Sequence, residues 1–168
     1  MSAAAFPGSF DPFTLGHLDL VARAARLFDR VTVLVIHNPD KPGWLPPELR
    51  VAVVRAALSA MGLGTVAVAV REGLLVDAMR ELGVNVAVRG LRNPADLPYE
   101  EAMSAVNRAL WPAFEAVYLG SRPELLHVSS SRVRELWRLR APLDALMPAA
   151  ALSLLPSGPG GRDGEGKN

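Results

Sequence analysis

The sequence predicts an open α/β fold built on a parallel sheet, and three features predict it. Strand-like apolar runs alternate with amphipathic stretches of helical length. Two of the runs, Thr32 to Ile36 and Val84 to Val88, are apolar on successive rather than alternate residues, as expected of strands covered by helices on both faces. A glycine-containing turn, Pro7-Gly8-Ser9, separates the first strand from the first helix.

The first strand runs from Ala3 to Phe6 and is broken by Pro7 and Gly8. Thr14 can then cap a helix over His17 to Phe28, with Leu18, Val21, Ala22, Ala25 and Phe28 on one side. A second strand, Val31 to His37, leads through a proline-rich loop to a helix over Pro47 to Met61, where Pro47 suits the first turn. Further strands are expected at Thr65 to Val70, Val84 to Arg89 and Glu115 to Leu119. Helical stretches cover Pro94 to Leu110, Ser130 to Leu139, Pro142 to Leu146 and Pro148 to Leu155, the last two packing on the outside of the core. Right-handed crossovers would bring the ligand-binding loops to the carboxyl ends of the strands, where strand order reverses. Gly62-Leu63-Gly64-Thr65-Val66-Ala67 fits G-x-G-x-x-A, but it ends a helix and enters a strand, so it reads as a turn.

The 168 residues and their 50% hydrophobic content suit one domain, expected over residues 1–155. From Pro156 onward the chain is glycine-rich without an anchoring apolar residue, so residues 156–168 are expected to be a disordered tail. Lysine and arginine number 18 against 17 acids, which gives no case for nucleic-acid binding. The chain has no cysteine, excluding disulfides, thiolate nucleophiles and cysteine-ligated metal centres. No signal peptide and no membrane span are expected, so a cytoplasmic protein is the default reading.

Three segments carry groups suited to anions. Thr14-Leu15-Gly16-His17 opens the first helix, whose N-terminus offers free N–H groups and a positive dipole end; Ser9 adds a hydroxyl and His17 a ring N–H. Arg89-Gly90-Leu91-Arg92 follows the Val84 to Val88 run, and guanidinium binds phosphate through two parallel bonds. Ser129-Ser130-Ser131-Arg132-Val133-Arg134-Glu135 opens another helix, and a plain cap needs only one serine. At one edge of a parallel sheet the three would converge on one polyphosphate. Taken singly, each has an ordinary alternative: a capped helix start, a strand-end surface arginine, a serine cap.

With these segments together, the chain resembles the nucleotidylyltransferase superfamily and, within it, the phosphopantetheine adenylyltransferases of the bacterial coenzyme A pathway. The resemblance runs from Phe6 to about Leu155 through the blocks PGSFDPFTLGH, NPDKPG, GLLVDAM, RGLRNPADLPYE, MSAVNRAL and HVSSSRVRE, in order. It implies a Rossmann-like three-layer fold with five parallel strands in the order 3-2-1-4-5 and C-terminal helices. It also implies reversible transfer of an adenylyl group from ATP to 4′-phosphopantetheine, giving dephospho-coenzyme A and pyrophosphate. Mg²⁺ is expected as the ATP complex, with no protein-ligated metal. A homohexamer and feedback inhibition by coenzyme A are further expectations.

Residue by residue, the resemblance gives His17, Lys41 and Arg89 the catalytic roles. His17 would hold the α-phosphate as an Nε2 donor, since the attacking phosphate is already deprotonated and needs no general base. Ser9, Phe10, His17, Gly90, Leu91, Arg92 and Glu100 would face ATP, with the loop Leu125, Leu126, His127 and Val128 on adenosine and Ser129, Ser130 and Ser131 on the outer phosphates. Ser9, Lys41, Leu75 and Arg89 would contact 4′-phosphopantetheine. Several alternatives stay open. Phe10 can be core with only its N–H facing nucleotide; Glu100 suits ribose hydroxyls or an arginine partner; Leu75 suits the pantetheine arm or a buried helix start; Arg134 suits the surface or a phosphate. Pro42 and Pro46 stand where the family has a lysine and a Ser or Thr cap, so the Lys41 loop departs from the pattern. The rivals are a nucleotide sensor that kept the fold and a nucleic-acid-binding module; the latter lacks interleaved aromatics.

Overall fold

The computed structural model describes residues 1–41 and 43–157. Pro42, and the tail from Gly158 onward, lie outside the described residues. Five strands, β1 (Ala3–Gly8), β2 (Arg30–His37), β3 (Ala67–Glu72), β4 (Val86–Leu91) and β5 (Glu115–Gly120), form one parallel sheet in the order β3-β2-β1-β4-β5. The helices are α1 (Leu15–Leu27), α2 (Pro47–Ala60), α3 (Leu75–Glu81), α4 (Asp96–Leu110), α5 (Ser130–Arg138) and α6 (Ala149–Leu152).

Burial follows strand order. Ala4, Ala5, Val33, Leu34 and Val35 in the central strands are fully buried, while β3 and β5 at the edges are half exposed. The successive-apolar runs are therefore explained: Val33 and Val35 pack into a core with Val21 and Ala24 of α1 and Val53, Val54 and Leu58 of α2. Leu34 points the other way, into a smaller core with Val76 and Met79 of α3 and with Phe114. No helix among the described residues is long and apolar enough to cross a membrane.

Pro7 shapes the site. It lies in a central strand, where a missing N–H normally disrupts pairing. The β1–β2 ladder runs the length of β1, but β1 pairs with β4 only at Ala4 and Ala5. Beyond Ala5 the two strands part, and β1 extends through Gly8 rather than ending at Phe6. A crevice opens at the point where strand order reverses.

Several boundaries differ from expectation. β3 starts two residues later than Thr65, because Leu63 and Val66 close a turn through Val66 N–H to the Leu63 carbonyl. The seven-residue α3 is too short to announce itself by periodicity. Pro142 to Leu146 is not a helix. Its Leu143 carbonyl accepts N–H groups from both Leu146 and Met147, and the Leu146 carbonyl accepts the N–H of Leu15 at 2.9 Å. The segment closes a turn and satisfies the start of α1. Pro148 to Leu155 is helical only over Ala149–Leu152.

Candidate active site

The crevice between β1 and β4 is a cleft of about 360 Å³, floored by the β1–α1 turn and closed by the start of α5. It brings together Ser9, Phe10, His17, Arg89, Gly90, Arg92, Glu100, Leu125, Val128, Ser129, Ser130 and Ser131, from all three predicted segments.

His17 is fixed by the helix it helps to start. Thr14 is the N-cap of α1, its side chain accepting the His17 N–H at 3.4 Å. In return the Thr14 N–H donates to His17 Nδ1 at 3.1 Å, completing a capping box with histidine in the place usually held by Glu or Gln. Because Nδ1 accepts, the ring proton of the neutral imidazole sits on Nε2. The ring stands edge-on to Phe10, with centroids 5.2 Å apart, and against Phe13 at 5.4 Å. Burial first, then the charges of Arg92 and Arg89, lower its pKa from 6.5 to about 4. The outcome is a neutral, oriented N–H donor at a helix N-terminus.

Phe10 resolves toward the core. Its side chain is buried and stacks on Phe6, while its backbone turns the chain out of β1 with φ +46°. Gly90 has a packing reason of its own: a Cβ there would lie 2.3 Å from Leu20 Cδ1, so the Leu20 side chain of α1 could not rest against β4 as it does.

Arg89 and Glu100 form a two-point pair, Nε to Oε2 at 2.7 Å and Nη2 to Oε1 at 2.9 Å. Arg89 Nη1 also donates to the Pro7 carbonyl at 2.8 Å, spanning the gap where β1 and β4 part. Of the two partners open to Glu100, the structure supplies the arginine. A guanidinium has five N–H groups, so one remains on each terminal nitrogen for an anion.

The three serines have separate duties. Ser129 is the N-cap of α5, accepting the Arg132 N–H at 3.1 Å. Ser130 Oγ donates to the Pro12 carbonyl at 2.8 Å, tying α5 to the β1–α1 turn, and Ser131 Oγ accepts from Arg134 Nη2 at 3.2 Å. Their hydroxyls build and orient the wall, and with the Arg132 N–H taken by the cap, the Ser130 and Ser131 N–H groups at the start of α5 remain for an anion.

Lys41, Leu75, Leu91, Leu126 and His127 do not line the cleft. Lys41 is exposed in the loop after β2, with its N–H on the Asn38 carbonyl. Leu75 begins α3 and packs on the smaller core. Leu91 ends β4, its carbonyl accepting the Ser121 N–H, and Leu126 and His127 are exposed. Pro46 caps α2 without a side-chain bond, as the loss of a Ser or Thr there predicts.

Of the two roles open to Arg134, the structure places it in the cleft lining, which Ser121 joins without having been singled out. Arg134 also donates to the Asp11 carbonyl. Its signal was spacing: four residues after Ser130 and three after Ser131, it shares their helix face. Arg132, by contrast, pairs with Glu135 on the surface.

Comparison with known proteins agrees with this architecture. Residues 5–136 match the cytidylyltransferase-like family. A phosphopantetheine adenylyltransferase of Leifsonia xyli is 45% identical over 155 residues, 92% of this chain and 97% of the relative. One from Streptococcus equi subsp. zooepidemicus is 44% identical over 88% of this chain and 89% of the relative. A bifunctional NMN adenylyltransferase/ADP ribose pyrophosphatase structure from Francisella tularensis superposes with a TM-score of 0.68 at 16% identity, over 88% of this chain and 45% of that one; this likeness concerns the fold alone. Identity of this degree over nearly the full length of the first two relatives means that the chain belongs to the phosphopantetheine adenylyltransferases, within the cytidylyltransferase-like family.

Proposed function

We propose a division of labour in the cleft for the reaction this nucleotidyltransferase carries out, transfer of an adenylyl group from ATP to 4′-phosphopantetheine to give dephospho-coenzyme A and pyrophosphate. Two polyanions must meet in line. The chain's task is to offset their repulsion and to stabilise charge on the α-phosphate oxygens as the new P–O bond forms and the bond to pyrophosphate breaks.

The observation that carries this reading is the neutral His17, held by Thr14 and the rings of Phe10 and Phe13 with its proton on Nε2. It donates to the α-phosphate. The acceptor phosphate arrives deprotonated, so no side chain need remove a proton. Arg89 binds the phosphate of 4′-phosphopantetheine with the N–H groups that Glu100 and Pro7 leave free, and Ser9 adds its hydroxyl. Gly90, Leu91 and Arg92 follow the ATP phosphates; Leu125 to Val128 flank adenosine; the α5 start and Arg134 meet the outer phosphates. Lys41 closes over the transferring group from the β2–α2 loop, and Leu75 meets the pantetheine arm.

Mg²⁺ enters as the ATP complex. Glu100, the carboxylate of the cleft lining, is occupied by Arg89, so the triphosphate and water would carry the ion. Coenzyme A contains the adenylylated product and would compete for the same cleft as a feedback inhibitor. A homohexamer fits the same reading: Tyr99, Met103, Val106 and Leu110 are exposed along one side of α4. A cytoplasmic location goes with these substrates.

Pyrophosphate release with ATP and Mg²⁺ tests the reading, comparing 4′-phosphopantetheine, nicotinic acid mononucleotide and no acceptor, with the product identified by mass. Turnover with phosphopantetheine alone, giving dephospho-coenzyme A, is expected. Turnover only with the mononucleotide would overturn the substrate, and ATP binding without pyrophosphate release would favour a sensor.

A further inference from the structure

One buried ion pair beside the cleft has no part in the chemistry above. Asp11 and Arg50 are 7% and 3% exposed, and their side chains meet at 3.5 Å. Asp11 lies in the β1–α1 turn, two residues after Ser9. Its carboxylate accepts the N–H groups of Trp44 at 2.6 Å and Leu45 at 2.7 Å, at the end of the loop that carries Lys41. Arg50, in the first turns of α2, donates from Nε to the Leu45 carbonyl at 2.7 Å and from Nη1 to the Ser9 carbonyl at 3.3 Å. Each charge thus grips both loops.

A buried ion pair adds little stability over an apolar pair of similar size, whereas its directed hydrogen bonds fix geometry. Here they fix the strand-end turn bearing Ser9 to the otherwise exposed loop bearing Lys41. Gly43 completes the arrangement. A Cβ on it would lie 1.6 Å from Arg50 Nη2 and 2.8 Å from Asp11 Oδ2, so the loop passes over the pair only as glycine.

We propose that Asp11 and Arg50 are positioning residues for adenylyl transfer, a clamp that sets the Lys41 loop against the Ser9 turn and so aligns the acceptor phosphate with the α-phosphate. The proposal rests on the role given to Lys41 above. A clamp of this kind acts on the alignment step, and a misplacement of about 1 Å costs on the order of 10²-fold in rate. ATP, bound on the α1, β4 and α5 side, is held without it.

The test is a double-mutant cycle on kcat with Arg50→Met and Lys41→Met, run alongside Gly43→Ala. The last places a methyl group against the guanidinium from an exposed loop position, removes no charge and supplies the cycle if Arg50→Met does not fold. Arg50→Met and Gly43→Ala are each expected to lower kcat by about three- to tenfold, no more than the loss of Lys41 itself, while the ATP Kd stays within about twofold. In the Lys41→Met background the further loss should fall below about twofold, because the clamp works through that loop. Losses that multiply in full would overturn the clamp and leave the Lys41 role standing, and so would an unchanged kcat in Gly43→Ala. Wild-type kcat in Lys41→Met alone would overturn that role and the clamp with it.

Discussion

The cleft and the β2–α2 loop beside it are built differently. On the α1 side, every element is tied to another: Thr14 to His17, Ser130 to the Pro12 carbonyl, Arg89 to Glu100 and Pro7. On the β2–α2 side, Lys41 stands exposed, and its loop is gripped chiefly where Trp44 and Leu45 meet Asp11. The first side is organised before any ligand arrives and costs no reordering during reaction; the second supplies a long, flexible cation from a stretch anchored near its ends. The proposed roles divide the same way: stabilising the developing charge is assigned to the first, and closing over the bound substrates to the second.

Removing a donor from the organised side should cost most. His17→Ala is expected to lower kcat by about 10² to 10³ with ATP affinity and folding largely intact, the scale of losing one oxyanion donor. Steady-state kinetics with calorimetric ATP titration read this, and an unchanged kcat would remove His17 from the chemistry. Arg89→Ala comes next, raising the KM for 4′-phosphopantetheine by about ten- to a hundredfold, as for hydrogen bonds to charged groups. It should also lower Tm, because Glu100 is left half-buried without its partner. A rise confined to the KM for ATP would show that the phosphate sites are assigned the wrong way round. On the looser side, Lys41→Met should lower kcat about tenfold without changing Tm, the loss of a single mobile charge-assisted contact; a loss as large as that of His17→Ala would erase the contrast between the sides.

Smaller effects sharpen the same contrast. Ser129→Ala removes the cap of α5 and should cost about 1 kcal/mol in denaturant unfolding; a change near zero would mean that α5 is held by Ser130 and packing alone. The smallest effect is an absence. Since His17 titrates near 4 in the free protein, kcat/KM for ATP should show no inflection near pH 6.5 once the titration of ATP itself is taken into account. Stability moves in a definite sense. With the folded pKa below the unfolded 6.5, the unfolded chain takes up the proton first, so His17 leaves stability unchanged above pH 6.5 and subtracts from it as pH falls toward 4. An acidic limb centred near 6.5 would mean a solvated imidazole.

The organised side was also the more legible one in the sequence. Glycine, histidine, arginine and serines at strand ends and helix starts have physical signatures that survive without coordinates, and the successive-apolar runs placed the strands between them. What escaped depends on distant partners. Glu100 could not be given to Arg89 across eleven residues of chain without knowing that β4 and α4 face each other. Arg50 reads as one more polar position on a helix, yet it is buried because Asp11 waits beneath it. Pro142 to Leu146 has helical composition, and its conformation is decided by a carbonyl owed to Leu15. Short-range pattern speaks to elements, whereas these residues answer to contacts made far along the chain.

That last bond links the two ends of the domain. The family match stops at residue 136, but the N–H at the mouth of α1, two residues before His17, is satisfied by Leu146. Proteolytic trimming of the chain back to Arg138 would remove none of the residues assigned to substrates, yet it would strip the Leu15 N–H of its acceptor and leave the first turn of α1 to the Thr14 cap alone. The phosphate site would then report damage inflicted at the opposite end of the sequence.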